Sequence, residues 1–139
     1  MSNRSRLLFL ALILAQAAHS VEEYVFHLYD VLAPARFISG LVSENLGVGF
    51  AIANVAFVTF GAWCYLARVR ANHPSGVGWA WFWTWLEGAN GTGHLLFAAA
   101  RGGYFPGAWT APFLLVFAVS LASELRRSSS STEVRERAK

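Results

Sequence analysis

The sequence predicts an all-α membrane protein, a polytopic bundle of four transmembrane helices. Three observations support this fold class. Hydrophobic residues make up 55% of the 139 residues and charged residues only 14%, against about 25% charged residues in an average soluble domain. The apolar residues occur in blocks of about 20 residues, which is the length that crosses a hydrocarbon core of about 30 Å. Basic residues lie at the ends of these blocks, so nucleic acid is not an expected partner.

A single domain, 1–127, is expected to contain all four spans. The predicted spans are about 7–29, 46–69, 77–100 and 108–125. The connections between them contain residues that commonly break helices: Pro34 and Gly40, then 72–76, then Pro106 and Gly107. Residues 128–139 are rich in serine and in charge, so we expect a disordered cytoplasmic tail there.

The distribution of arginine predicts the orientation of the bundle. The arginines on the side that holds both termini are Arg4, Arg6, Arg68, Arg70, Arg126 and Arg127, and those on the opposite side are Arg36 and Arg101. The positive-inside rule therefore predicts a multi-pass protein of the cell membrane with both termini in the cytoplasm. A cleaved secretory signal over residues 4–17 is an alternative that would leave three spans. The apolar helix continues through Val21, which favours an uncleaved span.

Four tryptophans crowd the cytoplasmic end of the third span, at Trp79, Trp81, Trp83 and Trp85. Anchoring at the membrane interface is the usual role of tryptophan at such a position. A stacking wall for a lipid-like substrate is the alternative. Membrane lipids are the expected partners in either case.

Ionisable side chains inside the first span are the most informative feature of the chain. His19, Glu22 and Glu23 interrupt an otherwise apolar helix, and each charged side chain at the centre of a span costs about 2.5–3.5 kcal/mol. At 100° per residue, Gln16, His27 and Asp30 fall on the same sector as His19 and Glu23. The first helix is therefore expected to have one polar face.

The third span repeats this pattern. Glu87, Asn90 and His94 lie on one sector together with Thr84 and Gly91. Counted from the cytoplasm, His94 reaches about the level of Glu23, so the two polar faces are expected to meet near the midplane. Asn54, in the second span, is expected to border that layer. The neighbouring glycines either let helices pack closely or break the helix.

This layer can support acid–base chemistry. The predicted catalytic residues are His19, Glu22, Glu23, Asn90 and His94. Glu23 and His94 could share and transfer a proton, and Asn90 could donate to a developing oxyanion. An isomerase, cyclase or hydratase acting on a lipid-like or apolar substrate fits such a site. The residues expected to contact that substrate are Asn54, Trp83 and Glu87.

Three alternatives stay open on the same residues. A divalent metal, whether zinc, iron or manganese, could be held by His19, Glu22, Glu23 and His94. A transporter or channel component for protons or cations, formed by a homo-oligomer, would use the same polar layer. The layer could also only hold the bundle together, although interhelical hydrogen bonds average about 0.6 kcal/mol. The single cysteine, Cys64, permits no internal disulfide and no cysteine-based zinc site.

The string of His19, two intervening residues, Glu22 and Glu23 resembles the HXXEE family of integral membrane proteins. The segment Asn90-Gly91-Thr92-Gly93-His94 is similar to the second polar segment of that family. The resemblance covers most of the chain up to about Leu121. It implies a helical membrane architecture and these site residues, and it implies no particular reaction.

Overall fold

The computed structural model describes the backbone of residues 1–137 and the side chains up to Ser128. These residues form helices and contain no β-strand. The helices are α1 (Asn3–Val25), α2 (Leu28–Val31), α3 (Ala33–Val42), α4 (Leu46–Trp63), α5 (Gly76–Arg101) and α6 (Ala111–Arg137). A π-helical segment, Cys64–Arg70, continues α4 without interruption. The all-α prediction is therefore confirmed.

Helix α1 ends at Val25, four residues before the predicted end of the first span. His27 has a φ of 54°, a left-handed conformation that a helix cannot continue through. The prediction that His27 and Asp30 share the polar face of this helix is therefore wrong. Both side chains are more than half exposed, and they lie 4.0 Å from each other outside α1.

Helix α3 lies in a segment that was predicted to be only a connection. Pro34 is compatible with it because the first turn of a helix needs no backbone N–H from that residue. Gly49 of α4 brings the two helices together, because a Cβ at this position would lie 2.1 Å from the carbonyl oxygen of Ser39. The opposite face of α3 exposes large apolar side chains, including Phe37 and Leu41.

The later helices can be compared with the bounds 46–69, 77–100 and 108–125 that were predicted from apolar length. Residues 46–70 and 76–101 are helical, within a residue of prediction. Helix α6 begins at Ala111 because residues 106–110 form turns. It continues to Arg137, through most of the segment predicted to be disordered, since extending an existing helix avoids the cost of nucleation. Residues 138–139 lie outside the described part of the chain.

Two helices of the described chain are long and apolar enough to cross a membrane. They are Asn3–Val25 and the continuous helix Leu46–Arg70. The third and fourth spans stay predictions. Helix α5 contains the polar residues of the predicted site, which lowers its mean hydropathy.

The bundle has two distinct ends. At one end the Ser2 hydroxyl donates to Glu124 of α6, and Arg6 donates to Asn72 in the turn before α5. An apolar core that includes Phe9 and Trp83 lies above these contacts. The connection between α5 and α6, residues 102–110, covers the other end, and it forms one wall of the site described next.

Candidate functional site

Two imidazoles and one carboxylate meet at a single point between α1, α5 and the 102–110 connection. Oε1 of Glu23 lies 3.3 Å from Nε2 of His19 and 3.1 Å from Nε2 of His94. The two rings meet edge to face, with centroids 4.6 Å apart. All three side chains are buried, and His19 is fully so. The predicted convergence of the two polar faces is therefore present.

Helical spacing produces this arrangement. His19 and Glu23 are four residues apart in α1 and so lie on one face, one turn above the other. His94 projects from α5 toward the same point. The level of the layer differs from prediction, because His19 lies only six residues before the end of α1 at Val25, about 9 Å of helix. The site therefore lies near the end of the bundle that residues 102–110 cover, and not at its middle.

The hydrogen bond from His94 to the connection fixes its tautomer. Nδ1 of His94 lies 2.6 Å from the carbonyl oxygen of Pro106. A carbonyl oxygen only accepts, so Nδ1 must be the protonated nitrogen that donates. In the neutral imidazole, Nε2 then presents a lone pair to Glu23.

His19 is fixed in the same way through Thr110. The Thr110 hydroxyl donates its single proton to Oε2 of Glu22 at 2.5 Å. Nδ1 of His19 lies 2.7 Å from that hydroxyl oxygen, so it must be the donor. Its Nε2 is buried without a hydrogen-bond partner of its own and also points at Glu23. Two nitrogen lone pairs and a carboxylate oxygen thus face one another, an arrangement that requires a proton or a metal ion between them.

Glu22 holds the connection and does not join this cluster. Its carboxylate accepts from the backbone N–H groups of Trp109 at 3.1 Å and Thr110 at 2.8 Å, and from the hydroxyl of Tyr104 at 2.7 Å. The two backbone donors immediately precede α6, whose dipole stabilises a negative charge at this end. The expected metal ligand set is thereby reduced to His19, Glu23 and His94, whose ligand atoms lie within 4.8 Å of one another.

The phenol of Tyr104 stays protonated through this contact. Partial burial and the hydrogen bond to the Glu22 carboxylate raise the pKa of Tyr104 above its ordinary value. Tyr104 therefore acts as a permanent donor that keeps the carboxylate in position.

Gly107 is the point at which the connection touches both rings. Its φ is 92°, and a Cβ there would lie 2.5 Å from Nδ1 of His94 and 2.7 Å from Cε1 of His19. Only glycine fits both this conformation and this space. The sequence suggested Gly107 merely as a helix breaker.

A second group of polar side chains continues from the cluster toward α4. Asn90 donates to Gln16 and to Oε2 of Glu87, both at 3.3 Å. Gln16 donates to Ser20, which donates to Asn54 at 2.7 Å. Asn90, which was predicted to be catalytic, thus hydrogen-bonds directly to Gln16 and Glu87 but not to either imidazole.

The three residues predicted to contact a substrate have different surroundings. Asn54 lines a cavity of about 500 Å³ that also touches Glu23. Glu87 is fully buried, and its Oε1 has no hydrogen-bond partner. Trp83 is part of the apolar core, with its ring 4.9 Å from that of Phe57, and it does not line that cavity.

Four further residues form the site and were not predicted from the sequence: Tyr104, Pro106, Gly107 and Thr110. These residues act mainly through backbone groups and through Glu22, so the periodicity of α5 or α6 carries no signal for them. The available clue was the position of a Pro-Gly pair between a histidine-bearing helix and the next helix.

The fold and the cluster define a helical protein with a buried histidine–carboxylate centre. The chain belongs to the family of proteins of unknown function with an HXXEE motif, whose sequence model matches residues 10–122. The motif corresponds to His19, Glu22 and Glu23, and the matched range also contains His94 and Thr110. No curated protein and no solved structure matches the chain.

Proposed function

We propose that the protein is a membrane-embedded, metal-dependent enzyme whose centre is formed by His19, Glu23 and His94. One observation carries this proposal: both imidazoles have their Nδ1 atoms fixed by acceptors, so both Nε2 atoms point with Glu23 at one position. Histidines that bind metals commonly have this outer hydrogen bond, which fixes the ring and leaves the other nitrogen free to coordinate.

The spacing of the ligand atoms supports a metal. With metal–ligand bonds of about 2.0–2.1 Å in a tetrahedral site, neighbouring ligand atoms lie about 3.3 Å apart. The two Nε2–Oε1 distances are 3.1 and 3.3 Å. Two histidines and one carboxylate suit zinc, iron or manganese, and three protein ligands leave a position open for water or substrate.

The charges also favour a divalent cation. Glu23 is a buried carboxylate that faces two imidazole lone pairs, and a divalent ion between the three groups would balance its charge. A metal-free proton shuttle between Glu23 and His94 would use the same residues, with imidazolium groups as the balancing charges. The bound metal would polarise an oxygen of the substrate or activate water. Hydration, isomerisation and cyclisation of an apolar substrate are the reaction classes that we consider.

The membrane location is part of the proposal. Two helices have the length and apolarity of spans, and we place α5 and α6 beside them as the third and fourth. The start of α1, the turn after the π-helical segment and Glu124 of α6 lie together. This agrees with the orientation that the arginine distribution predicts. With these in the cytoplasm, the 102–110 connection and the site would lie toward the outer leaflet.

Metal analysis of the purified protein tests the proposal. We expect one bound zinc, iron or manganese ion per chain in the wild type and loss of that ion in His94→Ala. His27→Ala, which removes an exposed histidine outside the cluster, is the matched control and is expected to retain the ion. A wild-type protein without stoichiometric metal, or a His94→Ala protein with wild-type metal content, would contradict the proposal.

The contact between Glu22 and His19 through Thr110 gives a second prediction. Thr110→Val keeps the shape of the side chain but removes the hydroxyl that orients His19. Loss of such an outer contact is expected to weaken metal binding about 10- to 100-fold. Thr110→Ser retains the hydroxyl and should bind normally. Competition with a chelator measures both affinities, and equal affinities for the two variants would show that the contact is unimportant.

A further inference from the structure

A cavity of about 500 Å³ lies between α1, α3, α4 and α5, next to the metal-ligand cluster. Its volume is typical of sites for small ligands, which range over about 300–1,000 Å³. Most of its wall is apolar, with Ile38, Phe50 and Phe57 among the lining residues. Glu23, Asn54 and Asn90 form a polar side of the same cavity. The cavity therefore suits an amphiphilic molecule.

Two amide groups beside Glu23 have hydrogen-bonding capacity left for the head group. Asn90 donates both of its N–H groups to Gln16 and Glu87, so its carbonyl oxygen is left as an acceptor. Asn54 accepts from Ser20 and donates one N–H to the backbone of Phe50, so its other N–H is left as a donor. A hydroxyl group both donates and accepts, so it matches the hydrogen-bonding capacity of both amides.

Charge disfavours an ionic head group. Among the described residues that line the cavity, Glu23 alone has an ionisable side chain, and the two imidazoles already contact it. An anionic head group would add another negative charge beside Glu23 without a lysine or arginine to balance it. A cationic one would compete with the imidazoles for the carboxylate.

The helix packing provides a lateral opening. Helix α4 packs mainly against α3 and α1, whereas α5 packs against α6 and the π-helical segment that follows α4. The two helices therefore diverge above the aromatic contact between Phe57 and Trp83. Ile38 and Ala89, which line the cavity, are exposed on the outer surface of the bundle. In a membrane this opening would face acyl chains.

We infer that this cavity binds a lipid that has one long apolar chain and an uncharged hydroxyl head group, with the hydroxyl placed beside Glu23. The inference rests on the proposed function in taking this molecule as the substrate whose oxygen reaches the metal. The cavity itself is defined by contacts that do not depend on a metal.

Photolabelling of the full chain in vesicles tests the inference. The probe is a long-chain alcohol that carries a diazirine on its chain, compared with the matching fatty acid and the matching lysophosphatidylcholine. Mass spectrometry should locate the label on α3 and on the part of α4 between Phe50 and Phe57. Ala53→Phe fills the cavity and should lower labelling about tenfold, the effect of about 1.4 kcal/mol.

Ala122→Phe is the matched control, because Ala122 lines a different groove, between α5 and α6. Labelling equal in the two variants, label on α6, or stronger labelling by either charged probe would overturn the inference. Metal content is measured on the same samples. Site-specific alcohol labelling of a protein that holds no metal would sustain the inference and contradict only the proposed function. Bound metal without such labelling would overturn the inference and support the proposed function.

Discussion

Replacement of Gly107 with alanine is expected to lower the affinity for zinc about 100-fold, the upper range for outer contacts of metal-binding histidines. The added Cβ would lie 2.5–2.7 Å from atoms of both His19 and His94. The φ of 92° is in addition strained for any residue with a Cβ. Both imidazoles must move away, and their Nε2 atoms would no longer converge with Glu23. Competition with a chelator measures the change.

Gly103→Ala is the matched control in the same connection. A Cβ at Gly103 meets no atom within 4 Å, and its φ is not in the left-handed region. This variant should bind zinc as the wild type does. Wild-type affinity in Gly107→Ala would mean that the connection does not position the imidazoles.

The second large effect is expected at Gly49, as a loss of stability. A Cβ there would lie 2.1 Å from the carbonyl oxygen of Ser39, so α3 and α4 must separate. Overpacking of this kind costs about 3 kcal/mol, which exceeds the gain of about 1 kcal/mol from replacing a helical glycine with alanine. The apparent melting temperature of Gly49→Ala should fall by several degrees.

The single cysteine provides the measurement. Cys64 is fully buried, so a thiol-reactive dye should report unfolding of the protein in detergent. Gly40→Ala is the control in α3, because the nearest atom to its Cβ would be 3.7 Å away, an ordinary contact. We expect this variant to match or exceed wild-type stability. A Gly49→Ala protein as stable as Gly40→Ala would show that α3 is not packed on α4 as described.

The sequence predicted long helices and the central contact better than it predicted the connections. Apolar length predicted spans at 46–69 and 77–100, each end within a residue of the helices at 46–70 and 76–101. Helical periodicity predicted that His19, Glu23 and His94 meet, as they do. Helical periodicity predicts which residues share a face only within an uninterrupted helix. At His27 the backbone turns left-handed, and nothing in the apolar pattern around it distinguishes this residue from its helical neighbours.

The depth and outer contacts of the site could not be predicted for a related reason. The estimate of the midplane assumed that α1 continues to residue 29, but the helix ends at Val25. The roles of Pro106 and Thr110 depend on a carbonyl oxygen and on a hydroxyl shared with Glu22. Pro106 is 12 positions from His94, and Thr110 is 88 positions from Glu22, and both contacts involve an irregular segment in which no regular spacing constrains them. Glu22 was accordingly predicted to be a ligand, whereas it holds the connection.

The central claim is that two imidazole Nε2 atoms and the Glu23 carboxylate share one metal ion. X-ray absorption spectroscopy of the metal-loaded wild type tests it most directly. In the wild type we predict that two imidazole nitrogens and one carboxylate oxygen bind the metal, with bonds of about 2.0–2.1 Å for zinc. In any His94→Ala protein that retains metal, the spectrum should show one imidazole ligand fewer. A metal without two imidazole ligands, or a spectrum that is unchanged in His94→Ala, would contradict the account.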